Sequence, residues 1–255
     1  MPGKLMKSWK NSLLAGAVGA WVASPAFADP RLDEKVYTPY VLNHVAELEL
    51  RRGQQFDGPA NGARTDVIEL EYGLNDNVSL ALVGNIARQG DGVSHLDQIG
   101  LESVIYLGQV PHLGVDVGIY LEYLRGQNHQ RDAGEAKLLL AKNVDRFQAL
   151  LNIIAEHPFG APSGQGFSSY GYGASLTWRT WGALRLGAEA FGNLGDDHGL
   201  RSSGGYVGPQ LTWEAHPYGS PFEVGIDAGW LEAFGAERDQ AHSQARLTIE
   251  LERHF

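Results

Sequence analysis

The last twelve residues, Gln244 to Phe255, constrain the chain most. In an extended backbone Ala245, Leu247, Ile249 and Leu251 point to one side, and Arg246, Thr248, Glu250, Glu252 and His254 to the other. A strand of this length with one apolar and one charged face is long for a soluble sheet. It matches a strand tilted through a bilayer, which needs about 9–11 residues. In lipid an unpaired strand edge leaves backbone N–H and C=O groups without partners. The rest of the chain must therefore supply further strands of the same kind, and a first strand able to pair with this last one.

The chain supplies them. No stretch after residue 28 reaches the roughly 18 continuous apolar residues of a membrane helix. Instead twelve segments alternate with period two, at about 44–52, 65–74, 77–88, 96–107, 113–125, 134–142, 146–156, 169–180, 183–193, 205–215, 222–233 and 244–255. The pattern is cleanest over 113–125, where Leu113, Val115, Val117, Ile119, Leu121 and Tyr123 oppose Asp116, Tyr120 and Glu122. It is weakest over 134–142. Short turns such as Asn75-Asp76-Asn77 and Thr180-Trp181-Gly182 alternate with longer Gly-rich loops at 53–64, 89–95, 126–133, 157–168, 194–204 and 234–243. Short turns inside and long loops outside are the habit of outer-membrane barrels. The spacing predicts an all-β, transmembrane, antiparallel up-and-down barrel of twelve strands, with ten and fourteen as the neighbouring counts.

The aromatic residues give an independent check. Under this threading Tyr72, Phe147, Trp178, Trp213, Phe222 and Phe255 face outward near one end, and Tyr123, Tyr170, Tyr172 and Trp230 near the other. Two aromatic girdles around an apolar band are what a bilayer selects. A soluble lipocalin-like barrel would put its apolar face inside and show no girdles.

Composition and the first residues place the chain in the cell. Lys4, Lys7 and Lys10 precede an apolar run from Leu13 to Val22, and Ala26-Phe27-Ala28 follows with small residues at both positions before a cut. That order is a secretory signal peptide over residues 1–28, removed on export; a retained anchor is the other reading. The 255 residues include no Cys, which excludes disulfides, thiolate metal sites, a Cys nucleophile and a lipoprotein anchor. The net charge of -10 argues against nucleic acid as a partner. Residues 29–43 form a lead-in segment. Pro39 lies inside Val36–Val41, so this stretch is no central strand; it is either periplasmic or folded back into the lumen. The barrel proper then spans 44–255.

A final strand closing on Phe255 resembles the C-terminal signature of Gram-negative outer-membrane β-barrels. The resemblance implies an outer-membrane location, lipid contact, and recognition of Phe255 by the barrel-assembly machinery. Val36-Tyr37-Thr38-Pro39-Tyr40-Val41 followed by Glu47-Leu48-Glu49-Leu50 resembles an uncharacterised group of mid-sized monomeric barrels, along most of the mature chain. That resemblance implies the fold and a monomer, and no function.

The inward face is acidic. Closure sets Glu47, Glu49, Glu69, Glu71, Glu250 and Glu252 side by side on three neighbouring strands, with Arg51 and Arg246 as local partners. Lys137, Arg146, Arg179 and Arg185 form a candidate basic wall across the barrel. Twelve strands give a diameter of roughly 24 Å, too wide for an Arg and a Glu to meet from opposite walls. Such a lining either sets up a field across a constriction or pairs with strand neighbours as solvated filling. All nine His fall in loops or at strand ends, and no threading sets one outward in mid-strand beside a Ser. His157, and His198 with Asp196 and Asp197, are the loop positions an enzyme or a loose metal site could use. No catalytic, metal or cofactor site is expected. The expected function is a narrow channel for passive passage of a small solute, cation-preferring. A structural or accessory barrel is the alternative, and an outer-membrane enzyme the third reading. The signal is directly testable: the intact mass of membrane-extracted protein should place Asp29 at the N-terminus, and a retained Met1 would overturn the reading.

Overall fold

Alternating residues make alternating faces, and the strands follow that pattern. The computed structural model describes residues 32–255 apart from 91, 129, 161–165 and 218–219; the signal peptide read in residues 1–28 lies outside the described residues. Twelve long strands form the wall: β1 Val45–Phe56, β2 Arg64–Asn75, β3 Val78–Arg88, β4 His95–Val110, β5 Val115–Gly126, β6 Ala133–Val144, β7 Phe147–Pro158, β8 Ser169–Trp181, β9 Leu184–Asp196, β10 Gly204–Ala215, β11 Phe222–Gly235 and β12 Ser243–His254. A two-residue strand, Gly199–Leu200, folds back on the end of β9, and a short 3-10 turn, Ala236–Asp239, sits in the β11–β12 loop. Each wall strand pairs antiparallel with its chain neighbour, and all twelve residues of β1 pair with β12. The sheet is therefore a closed barrel with no free edge in the wall.

Register fixes what faces lipid. Leu70, Leu82 and Leu101 are cross-strand neighbours on β2, β3 and β4, and each is more than half exposed, at 54%, 58% and 59%. Along the same strands Val67, Glu69, Val83 and Glu102 are buried, turned to the inside. The ten aromatic residues assigned to the two girdles are all exposed or half-exposed. Phe147 and Trp178 stack across β7 and β8 with ring centroids 5.7 Å apart.

Two features depart from the sequence reading. β1 runs on to Phe56 instead of ending near residue 52, because Gly53, Gln54 and Gln55 stay in register with Arg246, Ala245 and Gln244. The segment over 133–144 is a full strand despite its weak alternation. Leu138 faces out, while Leu139 is fully buried inside against Tyr37, Val104 and Tyr120. A strand apolar on both faces loses its period-two signature.

Depth, and not exposure, should control tolerance to charge. Leu82→Arg, in mid-band, should destabilise the folded barrel by about 2–4 kcal/mol. Leu113→Arg, in the β4–β5 turn, is equally exposed at 61% and should cost about 0–1 kcal/mol. Refolding titrations in detergent or liposomes check this. Equal effects would show that the band around Leu82 does not face lipid.

Candidate functional site

The lead-in segment runs inside the barrel. Residues 32–43 descend through the lumen from Leu32 beside Gly53 of β1, past β7 and β5, to Leu42 beside Gly73 of β2. At both glycines an added Cβ would overlap the segment's carbonyl oxygen, so only glycine lets the backbone pass this close. Of the two places the sequence left open for this segment, it occupies the lumen.

Tyr37 is its anchor. Asn152 of β7 accepts from the Tyr37 N–H at 2.7 Å and donates to the Tyr37 carbonyl at 2.9 Å, pairing with the backbone as a strand would. The Tyr37 ring packs on Tyr120 with centroids 4.5 Å apart. Lys35 Nζ and Lys137 Nζ lie over the same ring at 4.6 and 4.5 Å, a cation–π arrangement strengthened by exclusion of water. Arg51 donates to the Tyr37 hydroxyl at 3.3 Å, and the Tyr120 hydroxyl donates to Glu102 at 2.9 Å. Lower down, the Tyr40 and Tyr106 hydroxyls donate to opposite oxygens of Asp116 at 2.9 and 2.8 Å. Val36 packs against a second buried cluster of Phe191, Tyr206, Leu231 and Ala233.

The six Glu of the acidic wall are brought together as the register dictates. Glu49 pairs across with Glu69 on one side and Glu250 on the other, and Glu47 with Glu71 and Glu252. Carboxylate oxygens of Glu47, Glu49 and Glu250 lie within 4.8 Å of one another, as do those of Glu69, Glu71 and Glu102. Their main cation is one the sequence reading missed. Lys35, on the segment, pairs with Glu49 and reaches Glu250 at 3.9 Å. Arg51 contributes at 3.4 Å to Glu49 and 3.6 Å to Glu69. Nothing in the local pattern of residues 29–43 marks Lys35 as a lumen residue; only the threading of the segment does.

The four basic residues do not form one wall. Lys137 is buried in the interior, pairing with Glu34 of the segment and with Glu135 at 3.0 Å. Arg185 is buried near the lower mouth and donates to Thr177 at 3.0 Å. Arg146 and Arg179 are exposed at that mouth, Arg146 in the β6–β7 turn and Arg179 near the end of β8. Arg146 precedes β7 and Arg179 lies in the last turn-side residues of β8, so both side chains reach solvent at the rim.

Beside the segment a cavity of about 490 Å³ runs from Leu32 to the lower mouth. Nine carboxyl side chains line it against four cationic ones, so acidic groups outnumber basic ones along it.

The outer face carries one constellation that sequence spacing did not reveal. Nδ1 of His157, at the end of β7, lies 3.1 Å from the Ser168 hydroxyl just before β8. Asp197 accepts from the Ser168 N–H at 2.7 Å and the Tyr170 hydroxyl at 2.9 Å, which hold its carboxyl below the usual range. A hydrolytic triad needs the carboxylate on the second nitrogen of the base. Asp197 instead holds the serine's backbone. His198, for its part, bonds Asp196 at 3.3 Å through Nδ1 in an exposed turn.

No family model and no curated protein matches the chain. Solved structures do. An outer-membrane channel from Pseudomonas putida F1 aligns with a TM-score of 0.57 at 13% identity, covering 89% of this chain and 99% of that one. The KdgM porin, solved in complex with disordered oligogalacturonate, aligns with a TM-score of 0.51 at 11% identity, covering 82% and 99%. At such identities the likeness is one of fold. With its closed wall and its exposed apolar band, the chain has the fold of a mid-sized outer-membrane β-barrel.

Proposed function

We propose that this barrel is a monomeric, narrow channel for passive passage of a small solute, preferring cations, and that residues 32–43 set its bore. The cavity beside the segment carries this reading: it extends along the segment's described length and its lining is dominated by carboxylates. Rings of Asp and Glu favour cations in pores because a negative potential in a narrow bore concentrates counter-ions. The fold likeness to an outer-membrane channel and a porin supports passage as the activity, as analogy. The segment replaces much of the open lumen with a buried anchor, which restricts the solute to a small one.

The same anchor favours a second reading, a closed accessory barrel. Tyr37 and Asn152 are both buried, and leaving their polar groups unpaired would cost about 1–3 kcal/mol. Conductance separates the two.

In planar bilayers with a salt gradient, the reversal potential should report cation selectivity. Combining Glu47→Gln, Glu71→Gln and Glu250→Gln should reduce it, and the preference should weaken at high salt as the Debye length falls from about 8 Å towards 3 Å. Anion selectivity in the parent, or no change in the variant, would make the acids structural filling.

Deleting residues 32–40 should raise single-channel conductance several-fold. Equal conductance with and without the segment would remove it from the ion path. A parent and a deletion variant that both fail to conduct would favour the accessory barrel.

A further inference from the structure

The lower mouth of the barrel gathers two imidazoles and two carboxylates. His216 follows β10, Glu223 lies at the start of β11, and Glu252 and His254 lie at the end of β12. Nδ1 of His216 is 3.7 Å from Oε2 of Glu223. Nε2 of His254 is 3.8 Å from the same oxygen and 3.7 Å from Oε2 of Glu252. The two imidazole rings meet edge-on with centroids 5.9 Å apart. At these lengths none of the contacts is a hydrogen bond. The four groups converge without bonding to one another.

Two further observations say that something is missing from the centre. Glu223, Glu252 and Glu47 are successive register partners on β11, β12 and β1, and like charges directly opposite are destabilising. Among the described residues neither Glu223 nor Glu252 forms an ion pair with a lysine or arginine; their ion-pair partners are His216 and His254. In addition, Oε2 of Glu252 is buried and accepts no hydrogen bond. A buried carboxylate oxygen facing an imidazole nitrogen beyond bonding distance is the arrangement a shared cation would complete.

We propose that His216, Glu223 and His254, with Glu252 beside His254 as a fourth carboxylate, form a site for a divalent transition-metal ion at the periplasmic mouth. Two donor atoms held at about 2.1 Å from one ion at the tetrahedral angle stand about 3.4 Å apart. The three separations above exceed that by a few tenths of an ångström, and donor atoms of His216, Glu223 and His254 all lie within 4.8 Å of one another, within reach of small side-chain rotations. Two imidazoles with two carboxylates suit Zn²⁺ and its neighbours, whereas Mg²⁺ and Ca²⁺ take oxygen ligands. The ligands come from the β10–β11 connection, β11 and β12, so a bound ion ties the last strand to the hairpin before it. Glu223 and Glu252 also line the lumen cavity, so the ion would offset part of its acidic excess where solute enters or leaves. This last consequence rests on the channel reading; the binding itself does not.

The experiment is calorimetric titration of Zn²⁺ into untagged, detergent-purified full-length barrel near neutral pH, with Mg²⁺ as the control. One Zn²⁺ per chain should bind, with no heat from Mg²⁺. His216→Ala and His254→Ala should each weaken binding at least tenfold, and the double variant should abolish it while circular dichroism and heat-modified gel mobility show an intact barrel. Because other histidines lie in the loops, Zn²⁺ binding that persists unchanged in the double variant would overturn the site, as would no binding to the parent. In bilayers Zn²⁺ should lower the parent's conductance and leave the double variant's unchanged. A parent that binds one Zn²⁺ through these histidines yet never conducts would support the site and overturn the channel reading.

Discussion

Everything in this molecule depends on the pairing of its first strand with its last. In hydrocarbon each unpaired backbone group costs several kcal/mol, so a sheet survives there only when closed. β1 and β12 meet over twelve register pairs, and that closure fixes both faces of every strand at once. Outside, the faces give leucines to lipid. Inside, they bring Glu47, Glu49, Glu69, Glu71, Glu250 and Glu252 onto three adjacent strands, where repulsion must be met by something.

What meets it is the chain's own lead-in. Lys35 sits among the carboxylates, Tyr37 sits among cations, and Glu34 answers Lys137 on the far wall. The segment is therefore charge-complementary to the lumen at Glu34 and Lys35, with tyrosine and valine filling apolar pockets after them. Such an arrangement resembles a small protein core enclosed in a membrane wall, more than a water-filled pore crossed by a loose chain. The passage that remains is the side of the lumen the segment leaves uncovered, and there the acids outnumber the bases.

The wall was legible in the sequence because alternation, turn length and aromatic position all report the same bilayer. Strand limits shifted by a few residues, as at Gly53–Phe56, where glycine and glutamine carry no face preference of their own. The lumen was legible only in part. The acid ladder follows from register, but its cation does not: Lys35 lies in a stretch with a central proline and no period. Apolar residues pointing inward, such as Leu139 and Phe191, read as noise until the segment that covers them is in place. The pairs His157–Ser168 and His216–His254 are likewise products of closure and loop return, which no local spacing encodes.

The threading of residues 32–43 has a consequence for the order of assembly. Glu49 belongs to β1, whereas Glu250 and Arg246 belong to β12, the last strand made. The segment grips both sides of the seam, since Lys35 reaches Glu49 and Glu250 while Arg246 donates to the Glu34 carbonyl. Its bonds to β1 and β6 are available from the start, but those to β12 exist only after closure. Residues 32–43 are continuous with β1, so the segment is tethered at the seam it bridges. In the closed barrel the segment acts as a clasp, bonded to the strands on both sides of the seam.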